Sequence, residues 1–330
     1  MMINRRISVL LAIFLLILPP VANAQREPSA PPTRVETIRQ HLLHPGDGTV
    51  LVVAHRGDWR TAPENSLEAV EAAIRMGADI VELDVRRTLD GVLVLMHNPS
   101  IGATTNGRGL VSLSTYRRLS RKSLLSGCRL TTASRIPTLE EVLLLAKDRV
   151  MLNLDKAFGY FDEIVALAEK TGTLDQIIFK SRQSPGKIEK ALGSYKDKVL
   201  IMPIVYLSQK HFEKDIEEYL ELLHAPMFEV IYPEDKDSRL SWMKDRLRGR
   251  SRIWINTLWD SMCGGHSDER SFYDGPDAGY GYLIDTMEAG AIQTDRPALL
   301  IDYLNERSRR VTPTPQTRCL WMQSLPMSTD

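Results

Sequence analysis

Cysteine is scarce: Cys128, Cys263 and Cys319 are the only three in 330 residues, far apart and without CxxC spacing. A chain of this length does not need a disulfide to build a core. In an oxidising compartment one pair could bridge and leave an odd thiol, and which pair stays open. Net charge is lacking too, with 42 Lys and Arg against 42 Asp and Glu. With no strongly basic helix either, a nucleic-acid partner has no support. No glycine-rich turn follows the first predicted strand, which ranks an open dinucleotide-binding sheet low. What is present is an ordinary globular composition, 43% hydrophobic and 25% charged. That suits one domain of about 250 residues with tails.

The single long apolar run stands at the start. Asn4-Arg5-Arg6 precedes Ile7–Leu18, and Pro19-Pro20 leads to Ala22-Asn23-Ala24. A spanning helix needs about 20 apolar residues, so residues 1–24 read as a signal peptide cleaved after Ala24, with an uncleaved membrane anchor as the alternative. The expectation is an exported chain, periplasmic or secreted from a bacterium, with no stable membrane insertion after cleavage. Residues 25–45, rich in Pro, Arg and Ser, read as a flexible lead-in, and 311–330 as a loose tail.

Between them lies a domain over 46–310 in which β-like runs alternate with helical patterns. The runs are Leu51–His55, Asp79–Arg87, Val150–Asp155, Gln176–Ser181, Val199–Tyr206, Phe228–Pro233, Arg252–Leu258 and Ala291–Asp295. The first helix is capped by Ser66, carries Leu67, Val70 and Ile74 on one face, and stops at Gly77. Others are predicted at Thr138–Ala146, Phe161–Lys170, Pro185–Leu192, Gln209–Leu223, Ser238–Arg248, Gly279–Ala289 and Pro297–Arg307. Eight strand–helix pairs predict an α/β fold, a (β/α)8 TIM barrel. Residues 88–137 hold a Leu89-Asp90-Gly91 turn, a short strand ending at His97 and a Gly/Arg/Ser-rich excursion. They read as a small insertion after the second strand. A second long loop, Trp259–Asp277, sits on the strand-end side, where barrel sites are built.

Costly polar residues stand at strand positions: His55, Glu82, Asp84 and His97. Side chains alternate along a strand, so Glu82 and Asp84 share one face about 7 Å apart. Two carboxylates there raise each other's pKa unless a cation compensates. A hard divalent ion, Ca²⁺ or Mg²⁺, suits such oxygen ligands; salt bridges to Arg86 or Arg87 are the plainer alternative. Asp155, closing the run VMLNLD, would open onto the same barrel mouth, with Asn153 also pointing inward; alone, Asp155 could merely cap a helix. Arg56 offers a planar fork for phosphate oxygens, and Gly57 permits close backbone approach. His55 and His97 on either side of a held phosphate would make a general base and a general acid. His266 and Asp268 find no third partner nearby, so loop polarity or substrate contact outranks a second metal site. Trp259 and Tyr206 could pack against a small ligand, or simply in the core.

The set HRG…PEN…ELDV…MHN, a later strand ending in an acid, and Thr294-Asp295-Arg296-Pro297 resembles the glycerophosphodiester phosphodiesterase family over most of residues 50–305. The resemblance implies a TIM barrel with a small insertion after the second strand, a divalent cation, and hydrolysis of a small-molecule glycerophosphodiester to an alcohol and glycerol 3-phosphate. By position it implies His55 and His97 as catalytic, Glu82 and Asp84 as metal ligands, Arg56 as a phosphate contact and Glu64 as a site-lining carboxylate. Two departures stand out. Asn98 replaces the usual Asp after the second histidine, and Asp155 replaces the usual Glu, with Lys156 adjacent rather than two residues on. Lys156 reaches phosphate if the strand breaks there; otherwise Lys180 is the better candidate. A related phospholipase D acting on lysolipid or sphingolipid would use the same residues, and a non-catalytic exported binding barrel is the other alternative. The lack of a clear membrane-binding amphipathic helix leans towards water-soluble substrates. Oligomeric state is not legible.

Overall fold

A computed structural model describes residues 31–311. The predicted signal segment 1–24, Cys319 and the tail after Val311 lie outside the described residues. Eight parallel strands form the barrel: β1 (Leu51–His55), β2 (Ile80–Arg87), β3 (Met151–Asp155), β4 (Ile177–Ser181), β5 (Leu200–Tyr206), β6 (Met227–Ile231), β7 (Arg252–Asn256) and β8 (Ala289–Thr294). The ring closes because β1 pairs with β8 on one side and β2 on the other, in registers Leu51↔Ala291 and His55↔Glu82. Each strand lies within about three residues of its predicted bounds. The seventh ends two residues early, where the Thr257 hydroxyl turns to Asp268.

Strand alternation divides the residues between two cores. Val52, Ala54, Val81, Leu83, Val85, Leu152 and Leu154 face the surrounding helices. Leu51, Val53, Ile80, Met151, Ile178, Met202 and Trp254 fill the barrel's lower interior. Two residues further along six of these strands the inward positions become polar, as His55, Glu82, Asn153, Lys180, Glu229 and Asn256, while β5 keeps the apolar Ile204 there. The period-2 pattern therefore carries a dry floor and a charged mouth in the same strands.

The lead-in expected over 25–45 is corrected. Arg34–Leu43 is an α-helix, opened by a capping box in which the Thr33 hydroxyl accepts from the Glu36 N–H and the Glu36 carboxylate from the Thr33 N–H. Val35, Ile38 and Leu42 recur at helical spacing and seal the barrel floor together with Val311, so the first tail residue is also packed. The Pro/Arg/Ser composition hides this short apolar stripe. Arg252, buried on β7, donates to the carbonyls of His41 at 2.8 Å and His44 at 3.0 Å and pairs with Asp47 at 2.8 Å. A cation at a helix C-terminus is favourable, and these contacts fix the helix to the floor. Buried Asp79 does the same from the other side through Arg34 at 3.1 Å and Arg310 at 2.9 Å.

Residues 88–137 form a lobe after β2. The strand Leu93–Leu95 runs antiparallel to the end of β2, and Ser123–Leu125 pairs with Thr131–Arg135 in a hairpin. Val94, Met96, Ile101, Val111, Leu119, Leu124 and Ile136 give the lobe its own small core. Among the described residues, no helix is long and apolar enough to cross a membrane.

Candidate active site

The upper ends of β1, β2, β3, β4 and β8 bring the charged residues together. Carboxylate oxygens of Glu82, Asp84 and Asp155 lie within 4.8 Å of one another, the one such group among the described residues. The pairing Asp84↔Asp155 places the second and third acids side by side. Arg86 and Arg87 do not neutralise the pair: Arg86 donates to the His97 carbonyl at 3.0 Å and Arg87 pairs with Glu163. Two lysines reach the acids instead. Lys156 has φ 57°, so the strand does break there, and its ammonium turns back to contact Asp84 and, at 3.1 Å, Asp155. Lys180, enclosed, lies 3.4 Å from Glu229, 3.7 Å from Glu82 and 3.8 Å from Asp155.

The electrostatics follow from this crowding. Burial, then the adjacent Asp84 charge, pushes the Glu82 carboxyl up to about 7. Burial works against ionised Asp84 as well, yet Lys156, His97 and Arg56 outweigh it and hold Asp84 below the usual range. Lys180 is raised, because Glu229 and Glu82 overcome the desolvation of its ammonium.

His55 sits on the Glu82 side, with Nε2 3.9 Å from that carboxylate and Nδ1 2.7 Å from Asp295 Oδ1. The Trp59 indole N–H donates to the same Asp295 oxygen at 2.6 Å. Burial opposes charging His55, but the Asp295 hydrogen bond and the Glu82 charge prevail, and its pKa is raised. His97 acts on the Asp84 side, and its Nδ1 lies 2.7 Å from Asn98 Oδ1. Asn98 thus supplies an acceptor for the ring without the charge that Asp295 gives His55.

Arg56, at φ 56°, follows β1 in a left-handed turn. Its N–H donates to Glu82 at 3.2 Å, its Nη1 to Glu64 at 3.0 Å, and its Nε lies 3.5 Å from Asp84. Gly57, also left-handed, has no room for a Cβ, which would fall 2.7 Å from the Ala69 backbone. The tight turn so imposed aims Arg56 at the mouth. Asn65 holds Asp84 at both ends, donating to its carboxylate at 2.9 Å and accepting its N–H at 3.0 Å. Beside Glu64, a cavity of about 160 Å³ runs between Trp59 and the lobe residues Thr104, Leu125, Ser126 and Arg129.

The other candidates stand apart. Trp259 is exposed on the rim. Tyr206 lies under Arg182, 4.4 Å away. His266 stacks on Tyr282 at 3.6 Å, while Asp268 accepts hydrogen bonds from Thr257, Thr294 and Tyr280 and fixes the Asp295 N–H at 2.7 Å. Those two residues build a loop and hold no metal site together. Cys128 and Cys263 are not joined to each other. Trp59, Glu229 and Asn65 carry no role in the sequence pattern, and Asp295 appears there only as part of a motif. The available signal for Asp295 is its place just past the end of the last strand.

A barrel with this mouth matches known proteins. The model of the glycerophosphoryl diester phosphodiesterase family matches residues 55–194, and that of a domain of unknown function matches residues 201–304. A glycerophosphodiester phosphodiesterase of Caldanaerobacter subterraneus is 43% identical over 105 residues, covering 31% of this chain and 42% of that protein. Mouse glycerophosphodiester phosphodiesterase 1 is 32% identical over 168 residues, 46% of this chain and 50% of that protein. The chain therefore spans about half, or less, of the length of these relatives. A crystal structure of a glycerophosphoryl diester phosphodiesterase from Parabacteroides distasonis has the same fold, with TM-score 0.67 and 21% identity, covering 83% of this chain and 92% of that one. An Oleispira antarctica phosphodiesterase, solved in complex with sn-glycerol-3-phosphate, gives TM-score 0.59 at 19% identity, covering 78% and 97%. Over residues 55–194 the chain is similar to the glycerophosphoryl diester phosphodiesterase family, and it shares the barrel fold of that family's solved structures.

Proposed function

We propose that this protein hydrolyses glycerophosphodiesters to glycerol 3-phosphate and an alcohol by metal-assisted acid–base catalysis. The observation that supports the reading is the convergence of three carboxylates, with His55 Nε2 3.9 Å from Glu82, Arg56 Nε 3.5 Å from Asp84, and the charge of His97 acting on Asp84. The donor set fits a hard cation. Three carboxylates converge, and the buried Asn153 Oδ1, paired in register beside Glu82, has no hydrogen-bond partner. Among the described residues the ion pairs of Glu64, Glu82, Asp84, Asp155 and Glu229 with fixed cations are to Arg56, Lys156 and Lys180, while Arg60 acts on Asp295, so six acids face four fixed cations. Glu82, Asp84 and Asp155 would hold the ion, Ca²⁺ or Mg²⁺ by its oxygen ligands. Bound there, it would supply charge stabilisation at the phosphoryl oxygens.

The residues then divide the work. Arg56 and Lys156 bind the phosphate; Lys156 is the half-open lysine, whereas Lys180 is enclosed and balances the acids. His55 removes the proton from the attacking oxygen as that oxygen bonds to phosphorus; the attacker is water, or the glycerol 2-hydroxyl, whose cyclic phosphodiester a water then opens to glycerol 3-phosphate. Asp295 keeps Nδ1 of His55 protonated, so that Nε2 is the base. The phosphorus–oxygen bond to the leaving alcohol breaks as His97 delivers a proton to that oxygen. The Oleispira relative, solved with sn-glycerol-3-phosphate, supports this product.

The test is direct. Protein stripped with EDTA and refilled with Ca²⁺, Mg²⁺ or Mn²⁺ is assayed on glycerophosphocholine, glycerophosphoethanolamine, glycerophosphoinositol and a lysolipid. Divalent-dependent release of glycerol 3-phosphate is expected. Hydrolysis that survives EDTA, or release of the lipid alone, refutes the reading.

A further inference from the structure

A neutral chain hides a strongly basic lobe. From Gly91 to Leu139 there is no Asp or Glu, but there are seven cations: Arg108, Arg117, Arg118, Arg121, Lys122, Arg129 and Arg135. Six of them are exposed and Lys122 is half-buried. Among the described residues none forms an ion pair, whereas Arg86 and Arg87 at the lobe's base are both engaged. Where these side chains bond at all, it is to neutral groups of the lobe, as Arg118 to the Arg108 carbonyl at 3.3 Å and Arg129 to the Ala103 carbonyl at 3.3 Å. Folding has not used their charge.

Besides Leu89 beside Asp90, three leucines of the lobe are exposed among these cations: Leu110 at 43%, Leu113 at 66% and Leu130 at 69%. One exposed leucine means little. Here the lobe has a sealed core of its own, so these three are surplus to it, and each is close in sequence to cations. Leu130 follows Arg129 at the turn of the hairpin, and Leu110 and Leu113 lie between Arg108 and the Arg117-Arg118 pair. The Arg118 guanidinium reaches the Arg108 carbonyl, two residues from Leu110 along the chain. Cations draw a surface towards anionic headgroups, and leucines between them gain by entering the apolar layer beneath. Nucleic acid would use the arginines and leave the leucines idle.

We propose that this lobe docks the protein on a bilayer surface rich in anionic lipid. The lobe carries His97, and its Thr104, Leu125, Ser126 and Arg129 wall the cavity beside Glu64 and Trp59, so docking brings the active-site mouth to the surface. The docking stands on charge and exposure alone and holds whichever diester is cleaved.

Vesicle flotation with the full chain tests it, using phosphatidylcholine alone and phosphatidylcholine mixed with phosphatidylglycerol. Binding to the anionic vesicles only, weakened by salt, is expected. Removing one such charge weakens binding roughly fivefold, so the triple variant Arg117→Ser, Arg118→Ser, Arg121→Ser should lose on the order of 10². The double variant Leu113→Ser, Leu130→Ser should also bind less, most visibly at high salt, where the charges are screened. Thermal melting watched by circular dichroism shows that both variants fold. Equal binding to both vesicle types, no binding, or an undiminished triple variant overturns the proposal. So does a leucine variant that binds vesicles like the parent while the triple variant loses a DNA duplex, which would make the lobe a polyanion site.

Discussion

Replacing Asp295 by Asn isolates one charge in the proposed mechanism. Asp295 Oδ1 accepts from both His55 Nδ1 and Trp59 Nε1. An amide at this position must keep its oxygen towards those two donors, because turning the NH₂ there would set donor against donor. The main chain is held as well, by the Asp268 carboxylate on the Asp295 N–H and by Arg60 on its carbonyl, each at 2.7 Å. Asn therefore preserves the ring orientation and the tautomer and removes only the charge that steadies protonated His55. A charge-assisted hydrogen bond is about twice as strong as a neutral one, a difference of roughly 1–1.5 kcal/mol. The expected fall in kcat is about 5- to 15-fold, with KM little changed. Asp295→Ala loses the orientation too, and its loss should approach the 10²–10⁴-fold, roughly, of an acid–base residue. The pH profile adds a sign. His55 works as a base when neutral, so activity rises with pH through its pKa, which Asp295 raises. Without that charge the pKa falls, and the acid limb of kcat/KM moves to lower pH while the plateau drops. Glycerophosphocholine hydrolysis across pH reads both effects. An unchanged plateau with an unmoved acid limb, or equal losses in Asn and Ala variants, would refute the assignment of Asp295 as a positioning residue.

His55→Ala and His97→Ala should each lose roughly 10²–10⁴ in kcat while melting as the parent does; near-full activity in both would remove acid–base catalysis from these residues. Ile38→Ala, fully buried in the floor, should cost roughly 2–5 kcal/mol in urea unfolding, and a loss under about 0.5 kcal/mol would show that the helix Arg34–Leu43 is not part of the folding unit. Burial, with help from Asp260 and Asp268, pushes the Cys263 thiol up to about 12. It stays protonated at neutral pH, so iodoacetamide should modify exposed Cys128 in the native protein and reach Cys263 only after unfolding. Mass spectrometry of the labelled peptides decides, and native labelling of Cys263 would contradict its burial.

Most of the barrel was legible because it rests on local rules. Alternation in IVELDVRR already fixes Glu82 and Asp84 on one face, with Val81, Leu83 and Val85 on the other. Ser66 and Gly77 bound their helix by capping chemistry that acts within a few residues. Arg34–Leu43 escaped because three apolar residues in a polar, proline-flanked stretch make a weak signal, whose meaning depends on a barrel floor that needs covering. The choice between Lys156 and Lys180 could not be made from alternation, since it turned on the left-handed backbone of Lys156, a conformation that its side-chain contacts with Asp84 and Asp155 hold in place.

By itself, then, the sequence determined the strand and helix order, the likeness to a known family, and the three carboxylates that meet at the mouth. Periodicity and motif spacing are properties of neighbours along the chain. The tertiary structure alone decided that Asp295, 240 residues from His55 in sequence, sets that ring, that two lysines enter the acid cluster, and that a helix closes the barrel below. Closure of β1 against β8 is the physical reason. It joins the two ends of the chain in one ring and makes partners of residues whose relation no local pattern records.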